Sequence, residues 1–189
     1  ASNLRDAAKH ARSAGLSGKI KLYRSDMRRL PFGSGSMDAA LALEAVCYSS
    51  DPRKALREVA RVVRPGGLVF LSVENLQGSV LADPNITAER LPAVLRTGEL
   101  RIPGDTYTRY FTRRQFEGLI KGCGLKLLAL RGCQWTSDGP LGGLVDIAKL
   151  SEAGYRKKLA SLEKLCEAEP SLAELPRLWV GVGKVVGCR

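Results

Sequence analysis

Residues 51–75, "DPRKALREVARVVRPGGLVFLSVEN", constrain the fold more than any other part of this chain. Asp51 followed by Pro52 marks a helix start. An aspartate caps unpaired N–H groups there, and proline at the first helical position has no hydrogen bond to lose. Ala55, Leu56, Val59, Ala60 and Val63 recur at helical spacing, while Arg53, Lys54, Arg57 and Arg61 take the wet side. "RPGG" ends the helix, and "LVFLSV" is a short apolar run suited to a buried strand. A helix that feeds a buried strand is the repeating unit of a parallel α/β sheet.

The alternation continues in both directions. Over 2–14 the apolar Leu4, Ala7, Ala8, Ala11 and Ala14 share one helical face, "GLSG" ends it, and "KIKLY" alternates like a short strand. "MDAALAL" is a continuous small apolar run, expected of a strand covered on both faces. "TRRQFEGLIKGCG" carries a capping box, Thr112 with Gln115, and ends in glycine. A strand "LKLLAL", a helical stretch over 141–168 and a last strand "LWVGVGKVV" follow. The expectation is one α/β domain over 1–189, with a mostly parallel sheet flanked by helices. Two insertions, 76–109 and 133–176, break the rhythm. Such excursions at the carboxyl ends of the strands build ligand sites.

Composition excludes several chemistries. The only histidine is His10, which argues against Ser/His and Cys/His hydrolysis. The cysteines are Cys47, Cys123, Cys133, Cys166 and Cys188; none forms a C-x-x-C pair, so no metal is expected. An odd number of scattered thiols fits a reducing compartment, and Cys47 is read as a buried, inert thiol. No apolar run reaches the about 20 residues that span a bilayer. Arg5, Asp6, Lys9 and Arg12 interrupt any secretory signal, so a cytoplasmic protein with no membrane partner is expected. The net charge of +11 is scattered over Arg28/Arg29, Arg113/Arg114 and Arg156/Lys157/Lys158. It serves either a solvated basic surface or a nucleic-acid partner.

The chemistry concentrates in "LYRSDMRRLPFGSGSMDAALALE". Asp26 follows a strand directly, where its carboxylate can accept from an exocyclic amine while the Met27 N–H donates to a ring nitrogen. Alone, the motif serves equally as a Ser25–Asp26 turn. The ordered set "SDMRRLPF", "SMDAALALE", "DPRKALREVARVVRPGG", "LVFLSVEN", "RYFTRRQFEGLIKGCGLKLLALRG" and "LWVGVGKVV" resembles the class I, Rossmann-like S-adenosylmethionine-dependent methyltransferases. It is most similar to their small-molecule branch related to ubiquinone and menaquinone methyltransferases. The resemblance implies an antiparallel last strand, S-adenosylmethionine as methyl donor, S-adenosylhomocysteine as product and a small-molecule acceptor.

Carried onto this chain, it implies that Asp26 reads the adenine amine with Met27 as backbone donor, and that Ser2 lies beside the adenosine. Leu43 and Glu44 would border the methionine part of the cofactor; Glu44 alternatively caps the next turn. Tyr48, in "LEAVCYSSD", stands where relatives carry a histidine, and either meets the acceptor or packs. Asn75, Tyr110, Tyr107 and Arg109 flank the first insertion as acceptor contacts. Tyr110 and Phe111 also suit a hydrophobic staple, the preferred reading for Phe111. Trp135 is a lid aromatic or a loop anchor. No catalytic acid or base is assigned, because a sulfonium is already activated and transfer depends on alignment and dryness.

The family's acidic glycine-rich loop and the acidic residue ending its second strand have no counterpart here, and "GSGS" reads as a surface loop. The resemblance therefore implies a truncated chain, lacking a first strand–helix–strand and inactive alone. The alternative is a non-catalytic module of this fold that binds nucleic acid or a protein partner through its basic surface. An enzyme acting on RNA stands between the two.

Overall fold

The computed structural model describes residues 2–102 and 107–187, with side chains from residue 4 onward. The chain forms α1 (Ser2–Ser13), β1 (Met37–Ala42), α2 (Pro52–Val62) and β2 (Val63–Glu74). The first insertion holds α3 (Leu76–Ala82), α4 (Leu91–Thr97) and a small hairpin, β3 (Glu99–Arg101) with β4 (Tyr107–Arg109). Then come α5 (Arg113–Lys121), β5 (Leu125–Cys133), α6 (Ala153–Ala168) and β6 (Leu178–Val185). The main sheet has the order β1-β2-β6-β5. β1 and β2 are parallel, and β6 runs against both β2 and β5. Three strands thus share one direction and the last opposes them, as expected.

α2 starts where its sequence says. The Asp51 carboxylate accepts from the Lys54 N–H at 2.9 Å, and Pro52 holds the first turn. "RPGG" does not separate helix from strand, however, because it lies inside β2. Gly67 explains this: a Cβ there would sit 2.5 Å from the Asp38 carbonyl oxygen, so only glycine lets β2 close on β1. Leu56, Val59 and Ala60 of α2, Val69, Leu71 and Val73 of β2, and Phe116 and Ile120 of α5 form one core with Trp179. Both halves of the capping box on α5 form: the Thr112 hydroxyl accepts from the Gln115 N–H and the Gln115 side chain accepts from the Thr112 N–H. Phe111 packs before it on Phe116, with centroids 6.5 Å apart, as the staple.

Three expectations are corrected. "KIKLY" is not a strand; residues 20–25 have no regular structure, and Ile20, Leu22 and Tyr23 are exposed. A strand needs a partner for its N–H and C=O groups, and among the described residues none lies along the outer edge of β1. β1 is covered on one face only: Ala42 is buried, while Leu41 on the other face is 71% exposed. The stretch 141–168 is helical only in its second half, since two short 3-10 turns precede α6. Trp135 is a buried anchor: its indole N–H donates to the Leu172 carbonyl at 2.8 Å. Glu163 of α6 accepts from the Trp135 and Thr136 N–H groups at 3.2 and 2.8 Å.

Asn75 is corrected too. It is fully buried, and all four of its hydrogen-bonding positions are used within the fold. Its amide donates to the Glu174 and Pro176 carbonyls at 3.0 and 2.7 Å. Its oxygen accepts from the Trp179 indole at 2.9 Å and the Gln77 N–H at 3.3 Å. Nothing is left for an acceptor molecule. Asn75→Ala strands several buried groups, each costing about 1–3 kcal/mol. Urea unfolding should show a loss of about 3 kcal/mol with an unchanged slope; a loss below about 1 kcal/mol would contradict the saturated network.

Candidate active site

The topology brings four polar residues to one edge of the sheet. Glu74 ends β2, Glu44 lies two residues past β1, Gln134 follows β5, and Arg177 immediately precedes the antiparallel β6. With parts of both insertions they line a cavity of about 710 Å³. This is the carboxyl-end crevice where open α/β sheets bind ligands. Glu74 is buried and ion-pairs with Arg177, and Ser79 bridges the two. Glu44 and Gln134 are the non-glycine residues with positive φ among the described ones, at 48° and 63°. Both border this cavity.

The first insertion adds Asp83. One carboxylate oxygen accepts from the Asn85 backbone N–H and side-chain amide at 2.9 and 3.1 Å. The other accepts from the Tyr110 hydroxyl at 2.8 Å. Tyr110 is itself only 1% exposed. Burial, and then the Asp83 carboxylate that takes its hydrogen bond, push its phenol well above the ordinary tyrosine value. Tyr110 therefore stands behind the cavity wall as a protonated donor, and Asp83 presents the surface.

A second cleft, of about 630 Å³, is lined by Asp26, Met27, Arg28, Ala45, Tyr48, Ser49 and Tyr107 among others. Arg28 grips the Asp26 carboxylate through its backbone N–H at 2.9 Å and its guanidinium at 2.7 Å, and is braced by Ser50. Those hydrogen bonds hold the Asp26 carboxyl down at about 2, so it is ionised throughout the ordinary pH range. Among the described residues the neighbouring Met27 N–H has no partner. Arg28 engages both Asp26 oxygens, so the amine of an aminopurine would share the carboxylate with Arg28 while the unused Met27 N–H meets the ring. Tyr48, 44% exposed, and Ile102 line both recesses, so cleft and cavity meet there. Burial raises the Tyr48 phenol above its ordinary value.

The other sequence candidates fall elsewhere. Leu43 is exposed and lines neither recess. The side chain of Ser2, and Cys188, lie outside the described residues. Cys47 is fully buried, and burial lifts its thiol to about 12, which removes it as a nucleophile.

The chain is similar to known methyltransferases in sequence and fold. Residues 1–71 match the family described as methyltransferase domain. The O-methyltransferase cnsE of Penicillium expansum is 36% identical over 155 residues, covering 73% of this chain and 52% of that protein. An uncharacterised chloroplastic methyltransferase of Arabidopsis thaliana is 34% identical over 107 residues, 57% of this chain and 28% of its own length. Among solved structures, a SAM-dependent methyltransferase from Methanosarcina mazei covers 97% of this chain and 77% of its own, with TM-score 0.60 and 18% identity. Residues 1–71 carry the methyltransferase-domain match, and the chain shares the fold of the class I methyltransferases.

The chain spans about half or less of the curated relatives' lengths. S-adenosylmethionine is the cofactor of such methyltransferases, and the sequence candidates Asp26 and Met27 both line the second cleft. Sequence reasoning missed Glu74, Asp83, Gln134 and Arg177. Glu74 carried a local signal beside Asn75 at a strand end, whereas Asp83 sits in an ordinary "ADPN" turn and meets Tyr110 only through the fold.

Arg28→Ala should release Asp26. Hydrogen bonds to an ionised carboxylate lower its pKa, so their loss raises it, from about 2 toward the ordinary value of about 3.9. A carboxyl-carbon NMR titration measures this, and an unmoved Asp26 would show that Arg28 is not the cause.

Proposed function

We propose that this domain transfers a methyl group from S-adenosylmethionine to a small-molecule acceptor. The nucleoside occupies the Asp26–Met27 cleft, and the acceptor occupies the cavity at the strand ends. The carrying observation is that Tyr48 lines both recesses, so ligands in the two approach one another there. A cavity of about 710 Å³ suits a small molecule, for which pockets run from about 300 to 1,000 Å³. The relative named as an O-methyltransferase supports an oxygen acceptor.

When bound, S-adenosylmethionine supplies a methyl group already activated by its sulfonium. The work left to this chain is binding, alignment and exclusion of water. Asp26 accepts the adenine amine, and the Met27 N–H donates to the ring. Tyr48 separates the nucleoside cleft from the acceptor cavity. The loop after β5, anchored by Trp135 and Glu163, supplies Gln134 and Asp138 to the cavity wall. The basic excess does not favour nucleic acid at this site: Arg28, Arg61, Arg109 and Arg113 each face a carboxylate. The cavity itself carries Glu44, Glu74, Asp83 and Asp138.

Calorimetry with S-adenosylhomocysteine tests the reading. The chain should bind it, and Asp26→Ala should weaken binding at least about tenfold, the worth of a hydrogen bond to a charged group. Undiminished binding in the variant would remove Asp26 from the site. No binding by the unsubstituted chain would remove the cofactor assignment.

A further inference from the structure

We infer that Asp83 selects the acceptor and requires it to present a hydroxyl or amine hydrogen, with Tyr110 as the positioning residue behind Asp83. This rests on the cavity being the acceptor side of the site.

An ionised carboxylate offers about four acceptor positions. Asn85 occupies both positions on one Asp83 oxygen, and Tyr110 occupies one on the other. One position remains, on a residue that lines the cavity. The Asn85 bonds are those of a local turn and account for one oxygen only. The Tyr110 bond joins residues far apart in sequence, and it comes from a phenol buried with Val94 and Leu100. A rigid, fully buried donor on one oxygen fixes the direction of that carboxylate's remaining lone pair.

The surroundings set the sign of the ligand. Among the described residues Arg177 is the only basic one lining the cavity, and it is paired with buried Glu74. Glu44 and Asp138 add negative charge to the wall. An acceptor with a carboxylate or phosphate beside Asp83 would be repelled. A wholly apolar one would leave Asp83 desolvated without a partner, which is unfavourable. A hydroxyl or an amine satisfies the vacant position, and an amine also meets the field.

The test uses probes on the whole chain without cofactor: catechol for the hydroxyl arm, benzylamine for the amine arm, and veratrole, which is catechol with both hydroxyls methylated and so has no donor. Amide NMR titration should show catechol or benzylamine binding at Asp83 and Asn85 at least about tenfold more tightly than veratrole. The tighter of the two donors identifies the acceptor chemistry. Asp83→Asn should erase the margin over veratrole. Tyr110→Phe should reduce it about threefold, yet change nothing further in an Asp83→Asn background, because Tyr110 acts through Asp83. A general packing role would instead persist in that background. Veratrole binding as tightly as both donors, a margin that survives Asp83→Asn, or a Tyr110→Phe effect that persists in the double variant overturns the inference. S-adenosylhomocysteine binding, measured separately, reports on the cofactor reading without moving this margin.

Discussion

The buried polar knot at the end of β2 is the interaction on which the rest of the site depends. Asn75 binds the carbonyls of Glu174 and Pro176 and the indole of Trp179, while its neighbour Glu74 pairs with Arg177. Apolar packing alone would hold β2 against β6 without fixing where the preceding loop ends. Directional bonds to that loop do fix it, and so place Arg177 opposite Glu74. The knot extends further: the Phe111 N–H donates to the Glu74 carbonyl at 2.9 Å, and the Leu76 N–H to the Phe111 carbonyl at 3.1 Å. Those two bonds set the position of Tyr110, one residue earlier, and through its hydroxyl the orientation of Asp83. One buried hydrogen-bond network thus defines both a structural joint and the wall of a cavity.

The two recesses differ in what holds them. The Asp26 cleft is built locally, by an arginine two residues on that keeps the carboxylate ionised at the protein surface. The cavity is built from long-range contacts among strand ends and two insertions. A chain with net charge +11 thereby encloses an acidic pocket. Local pairing at the surface removes several arginines from any continuous basic stripe, and burial of Glu74 with Arg177 leaves the other carboxylates to dominate inside.

Features set by short-range rules were legible in the sequence: the Asp51–Pro52 helix start, the Thr112–Gln115 capping box and the Phe111 staple; the opposing last strand came from the family resemblance alone. The structure also brings Asp26, Met27 and Tyr48 to one cleft. What failed were inferences that need a neighbour. "KIKLY" has strand-like alternation, but alternation makes a strand only beside a ladder partner. Asn75 sits at a strand end, as ligand contacts do, but its amide is saturated by chain about a hundred residues away. Asp83 has an unremarkable turn sequence, and only folding supplies the buried phenol that gives it direction.

The central claim is that one methyl donor and one small acceptor meet across Tyr48. Amide NMR mapping of S-adenosylhomocysteine binding tests it most directly. The largest changes are expected at Met27 and its neighbours, continuing through Ala45 to Tyr48, with the Asp83 side of the cavity left free for a second ligand. Changes confined to the Asp83 cavity, with Met27 unmoved, would contradict it.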